Sequence, residues 1–313
     1  MDYDQQLDIV YGYKDGMALI MDAYIPKSQC NGGGVIWVAA GGWESNYEKR
    51  KWALDPDPDN PDLAQLNNFH SVSVLLHALL RSGYVVFSAQ HSSQPKYTID
   101  DIRPDIPRAV RFVRHHAERF GIDPQRIGVM GCSSGGHISL MTATAPPAPD
   151  ADAEDPVERE SSAVQAAAVY MPPTDLRNVG GDRVNAQEFI NGYLSQNQLG
   201  LMNAPFDFHG WDDEKQRFER IADPEQRTEY FRCNSPIEYL SRDTPPILLL
   251  HGDQDPIVPL QQSKRLVVAM EMLCIAHKLV VFPGLEHAMP APPNNGQKDV
   301  LDWLDRHLLN RNT

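Results

Sequence analysis

The chain has 313 residues, and its 28 Lys and Arg stand against 42 Asp and Glu for a formal charge of −14. That balance repels nucleic acid and anionic membrane surfaces, and the sequence holds no apolar run near the roughly 20 residues a membrane-spanning helix needs. With 42% hydrophobic and 22% charged residues, the composition is globular, and the length suits one large domain, 1–313, with insertions.

The first ten residues, Met1 to Val10, contain neither the basic nor the apolar stretch of a secretory leader. Taken as it stands the sequence predicts a cytoplasmic protein, or a secreted or periplasmic one if a leader has been removed. Cys30, Cys132, Cys233 and Cys274 have no Cys-x-x-Cys spacing, which predicts free and mostly buried thiols. Short apolar runs then alternate with helical patterns for most of the length, the signature of a mostly parallel sheet with crossover helices. Leu7 to Tyr13 and Met17 to Ile25 flank Lys14-Asp15-Gly16, and Asp-Gly between strand-like runs predicts a hairpin. Buried strands are predicted at 34–40, 84–89, 126–130, 166–170, 247–250 and 278–282.

Ile102, Ile106, Ala109, Val110, Val113, Ala117 and Phe120 recur at three- and four-residue steps, predicting one helix across 99–120. Arg103, Arg108, Arg111 and Arg114 read as its solvated face. Residues 145–160 are rich in Pro and acid and predict an exposed loop. Residues 174–240 show no strand pattern but carry many aromatics, so they predict a cap or lid inserted after the sixth strand. Phe189, Tyr193, Phe206, Phe208 and Trp211 are its candidate substrate contacts, with anchoring of the insertion as the equal alternative. Leu301, Leu304 and Leu308 mark a closing helix.

Chemistry concentrates in Gly131-Cys132-Ser133-Ser134-Gly135-Gly136-His137, which follows a predicted strand and opens a helical stretch. Glycines flanking Ser133 in this setting form a Gly-x-Ser-x-Gly nucleophile turn; the spacing selects Ser133 over Ser134. After the strand at 247–250 comes His251-Gly252-Asp253-Gln254-Asp255, and after that at 278–282 comes Pro283-Gly284-Leu285-Glu286-His287. Ser, Asp and His thus fall in turn on loops after three strands. In a parallel sheet such loops share one edge, so Ser133, Asp255 and His287 can converge as nucleophile, orienting acid and base. Asp253 is the nearest rival to Asp255. An oxyanion is expected to take the Ser134 amide and one from Gly41-Gly42-Trp43, with Gly42 first; Trp43 is also a candidate acyl contact and equally a core aromatic. No histidine has metal-ligand spacing with acidic neighbours, so neither metal nor cofactor is expected.

With these motifs, the run from Val10-Tyr11 to Pro26 and the run Gly121 to Ile127, the chain resembles the bacterial esterase and lipase branch of the α/β-hydrolase superfamily. Within it, hormone-sensitive-lipase-like and acetylxylan or feruloyl esterases are the nearest in pattern. The resemblance implies a carboxylic ester hydrolase acting through an acyl-enzyme on small to medium acyl esters, with a small-molecule or carbohydrate ester as its partner. An amidase or formamidase with the same triad, and a catalytically silent ligand-binding member of the fold, are the alternatives. The pattern departs from relatives at Ala39-Ala40, where His-Gly is common, at Ser134, where Ala is common, and at Gln90 to Pro95.

Overall fold

The computed structural model describes residues 3–52, 67–94, 96–178, 209–212, 214–220, 223–290 and 296–311. Its strands are β1 (Tyr3–Lys14), β2 (Met17–Pro26), β3 (Gly34–Val38), β4 (Val85–Ala89), β5 (Ile127–Cys132), β6 (Ala166–Tyr170), β7 (His209–Asp212), β8 (Arg217–Arg220), β9 (Ile247–Gly252) and β10 (His277–Phe282). Eight form one sheet in the order β1-β2-β4-β3-β5-β6-β9-β10, while β7 and β8 form a separate ribbon. Strand β2 pairs antiparallel with β1 and β4, and every later pairing in the large sheet is parallel. The hairpin turn holds Asp15 at φ 47° and Gly16 at φ 78°, the two left-handed residues that an Asp-Gly pair supplies.

The described α-helices are α1 (Tyr47–Trp52), α2 (Asn67–Arg81), α3 (Ile99–Ile102), α4 (Asp105–His115), α5 (Ala117–Phe120), α6 (Ser133–Thr144), α7 (Pro224–Cys233), α8 (Gln261–Leu273) and α9 (Gln297–Leu308). The central strands are buried on both faces, and alternate side chains enter different layers. Ile36 and Val38 pack with Ile106 and Val110 of α4, whereas Val35 and Trp37 pack with Leu75 and Leu79 of α2 and belong to the cluster holding Trp303 and Leu304 of α9. Each fully buried aliphatic side chain is worth about 1.5–3 kcal/mol of transfer free energy, so the two layers hold the sheet edge that carries the loops. No helix among the described residues is long and apolar enough to cross a membrane.

Several expectations are corrected. The helix expected over 99–120 is three pieces, and its first break falls at Pro104, which cannot donate to the helical ladder and crowds the residue before it. The basic face is not solvated throughout: Arg111 and Arg114 are buried. Arg111 donates to Ala148 O at 2.6 Å, Arg114 to Ala163 O at 2.6 Å, and Arg108 pairs with Glu158 and Asp155. These contacts hold the acidic, proline-rich segment against the domain, and Val157 within it joins the core. All four cysteines are free, but none is fully buried as expected: Cys30, Cys132 and Cys233 are half-buried, and Cys274 is exposed at the C-terminal end of α8. In α9 the buried face is Val300, Trp303, Leu304 and Leu308, with Leu301 only partly buried.

The 174–240 insertion does contain strands, since β7 and β8 pair with Trp211 opposite Phe218. Phe189, Tyr193, Phe206 and Phe208 lie outside the described residues. Both ends of the insertion are fastened together. Ile237 N donates to Thr174 O at 3.1 Å, Leu176 N to Ser235 Oγ at 2.8 Å, and the buried Gln262 side chain accepts from the Thr174 and Asp175 amides. Tyr230 and Phe231 of α7 enter the main core, and Tyr230 Oη accepts from Ile99 N at 2.9 Å.

Candidate active site

Strand β5 ends at Cys132, and Ser133 opens α6 at φ 50°. A left-handed backbone is costly for a serine, and here the packing imposes it. A Cβ on Gly131 would lie 2.5 Å from Gly135 O, and one on Gly135 would lie 2.6 Å from Val38 O. The flanking glycines therefore let the strand, the helix and the end of β3 meet, leaving Ser133 on the bend.

Asp255 follows β9 and is buried, while His287 follows β10 and is partly exposed. Their loops approach each other closely, since a Cβ on Gly252 would lie 2.2 Å from Leu285 O. His287 Nδ1 is 2.7 Å from Asp255 Oδ2, and His287 Nε2 is 3.0 Å from Ser133 Oγ. The three predicted residues thus form one hydrogen-bonded series. Asp253, the rival acid, instead accepts from Gly284 N at 2.7 Å and steadies the histidine loop; Glu286 is exposed.

The Asp255 carboxylate is well furnished. It accepts from Ile257 N at 2.9 Å and Val258 N at 2.8 Å, and His251 Nε2 lies 3.4 Å away. Burial pushes this carboxyl up, but hydrogen bonds from His251, His287 and the Val258 amide outweigh burial and hold it well below the usual carboxylate range. The sequence alone assigns His251 no role. It is buried between Ser263 Oγ at 2.8 Å and Val258 O at 2.7 Å, a serine and a backbone carbonyl that form no recognisable spacing with it.

After β3 the chain turns at Gly42, φ 62°, and Trp43, φ 57°. Gly41 N donates to Glu44 O at 3.0 Å, and Glu44 N returns to Gly41 O at 3.1 Å. The Gly41 amide is therefore committed, whereas the Gly42 amide makes no hydrogen bond among the described residues. Trp43 is only 6% exposed, and its indole donates to His137 Nδ1 at 3.1 Å. Its ring is a buried support here, the core alternative of the two sequence readings. Ser134 is buried at the start of α6, and its hydroxyl has no hydrogen-bond partner among the described residues. The divergent segment after β4 braces the turn: Gln94 Nε2 donates to Gly42 O, Ser45 N donates to Ser93 Oγ at 2.7 Å, and Ser45 Oγ donates to Ala39 O at 2.6 Å.

This strand order, with the serine, acid and histidine on loops after β5, β9 and β10, is the α/β-hydrolase fold. The chain belongs to the BD-FAE family, whose model matches residues 64–270. It is 26% identical over 196 residues to esterase LipQ of Mycobacterium tuberculosis, covering 63% of this chain and 40% of that one. The chain therefore spans less than half the length of that relative. Among solved structures, a truncated carbohydrate esterase from gut microbiota superposes with TM-score 0.70 at 20% identity, covering 98% of this chain and 96% of the other. An acetyl ester-xyloside bifunctional hydrolase from Caldicellulosiruptor lactoaceticus gives TM-score 0.66 at 22% identity, covering 95% and 92%.

Proposed function

We propose that the chain is a carboxylic ester hydrolase working through an acyl-enzyme, with Ser133 as nucleophile, His287 as base and Asp255 as the residue that orients the base. The observation that carries this reading is the hydrogen-bonded series from Asp255 through His287 to Ser133. Family membership and relatives named as esterases support it.

The chemistry runs as follows. Neutral His287 takes the Ser133 proton on Nε2 as Oγ bonds to the ester carbonyl carbon, and the carbonyl electron pair moves onto oxygen. The amides of Ser134 and Gly42 receive that oxyanion, the first aided by its place at the start of α6. Asp255 stabilises the imidazolium through Nδ1–H. Collapse of the intermediate breaks the bond to the alcohol oxygen, which leaves with the proton from Nε2. Water then repeats the sequence on the acyl-enzyme, releasing the acid and restoring Ser133.

Short acyl esters of carbohydrates are the proposed substrates, supported by the carbohydrate and acetyl esterases among the structural neighbours. The 174–240 insertion is proposed as the cap over the site, because its fastened ends arise from the loop after β6, on the same sheet edge. A screen of p-nitrophenyl esters, aryl formamides, acetylated xylosides and feruloylated sugars tests the reading. Fastest turnover is expected on acetyl esters. Turnover of formamides with none of esters would replace it with an amidase.

A further inference from the structure

His137 takes no part in the proton transfers above, yet it is fully buried with both ring nitrogens engaged. Trp43 Nε1–H donates to Nδ1 at 3.1 Å, and Nε2 lies 2.7 Å from the Asn234 carbonyl. An indole nitrogen only donates and a carbonyl only accepts. The two bonds together therefore require one form of the ring, neutral, protonated on Nε2 and bare on Nδ1.

The partners of that ring are informative. Asn234 caps the C-terminal end of α7, where the chain returns from the insertion, and carbonyls at a helix end lack partners within the helix. Trp43 sits at φ 57° beside Gly42 at φ 62°, in the turn closed by Gly41 and Glu44. A bulky residue in the left-handed region is strained and persists only where its surroundings over-determine it. Here the ring of Trp43 stacks edge-on against His137, centroids 5.4 Å apart, as well as donating to it.

We propose that His137 is a positioning residue for ester hydrolysis: fixed on the Asn234 carbonyl, it captures the Trp43 indole and so holds the Gly41–Glu44 turn, with its Gly42 amide, against the nucleophile helix. The proposal rests on the ester-hydrolase reading above and adds to it a physical link between the return of the insertion and the oxyanion turn. Movement of the α7 end is felt at the Gly42 amide through one imidazole.

The test compares Trp43→Phe, which keeps a ring but loses the N–H, with His137→Leu and His137→Gln. For each, kcat and KM for p-nitrophenyl acetate, per active site titrated by the acyl burst, are measured with Tm. Inhibition by phenyl trifluoromethyl ketone is measured alongside, because its serine adduct carries the oxyanion. Trp43→Phe and His137→Leu should lower kcat about 10- to 100-fold with KM within about threefold, as for a displaced oxyanion donor. The ketone's Ki should rise in step, and His137→Gln, which retains one acceptor and one donor, should recover most of the loss. Wild-type kcat per titrated site and wild-type Ki in both Trp43→Phe and His137→Leu, with only Tm lowered, would overturn the proposal and leave the ester-hydrolase reading standing. If His137→Leu does not fold, Trp43→Phe decides on the same readouts. A wild-type chain that hydrolyses no ester, or a Ser133→Ala variant at the wild-type rate, removes the underlying reading and the proposal with it.

Discussion

Two adjacent serines, Ser133 and Ser134, differ in what their surroundings do with the hydroxyl. Ser133 Oγ faces His287, while Ser134 Oγ is buried without a partner among the described residues. A buried hydroxyl lacking a hydrogen bond costs about 1–3 kcal/mol, and the role proposed for Ser134 uses only its backbone amide. Ser134→Ala should therefore leave kcat within about twofold and hold or raise Tm, read by ester kinetics and thermal melting; a large loss of kcat would give that hydroxyl a role. Asp255→Asn should lower kcat about 10⁴-fold with the fold intact, because an amide no longer holds the imidazole in the tautomer that can accept the serine proton. The glycine-flanked serine and the order Ser, Asp, His were legible in the sequence because each lies in a short local motif. His137 and His251 were not. Each looks like an ordinary histidine beside a glycine, and their partners at Trp43 and Asn234, or at Val258 and Ser263, meet them only after folding.

Among the elements, the short α1 follows the Gly41–Glu44 turn and is anchored to the sheet through one arginine. Its Arg50 is buried against Asp22 at 3.2 Å and reaches Asp8 at 2.6 Å, while Ser88 Oγ of β4 donates to Arg50 O at 3.0 Å. Removing one partner from a buried ion pair leaves the other uncompensated, so Arg50→Ala should cost about 3–5 kcal/mol in denaturant unfolding. Unfolding within about 0.5 kcal/mol of wild type would mean Asp22 finds water or another partner. The α4 arginines carry a different lesson. Sequence periodicity marks the helical stretch but cannot tell a solvated basic face from one that ties down an acidic segment about fifty residues later, as Arg108 and Arg111 do with Glu158. The insertion was legible as an insertion, and Tyr230 and Phe231 prove to be anchors in the core. Its short ribbon gave no signal because four-residue strands barely establish an alternation.

For the whole molecule, the large sheet was legible nearly strand by strand, since strands covered on both faces read as continuous β-branched runs. Its burial of histidines has a thermodynamic consequence. His91 and His137 are both buried, which pushes each below its ordinary 6.5, His137 to about 4. Below about pH 6.5 the unfolded chain takes up protons that these folded imidazoles refuse. Their contribution to stability is thus complete above that pH and is lost as pH falls toward 4. Asp255, held below its ordinary 3.8, adds a further loss only at lower pH, as its folded carboxylate is protonated. Tm should decline from pH 6.5 to 4, and His137→Gln should flatten the decline; a flat wild-type Tm across that window would contradict this account. The central claim, that Ser133 is the nucleophile of an ester hydrolase, is tested most directly by peptide mapping after reaction with a fluorophosphonate, alongside ester kinetics. A single adduct on Ser133 is predicted, with labelling abolished and kcat lowered about 10⁴-fold or more in Ser133→Ala. An adduct on Ser134, or ester hydrolysis undiminished in Ser133→Ala, would contradict it.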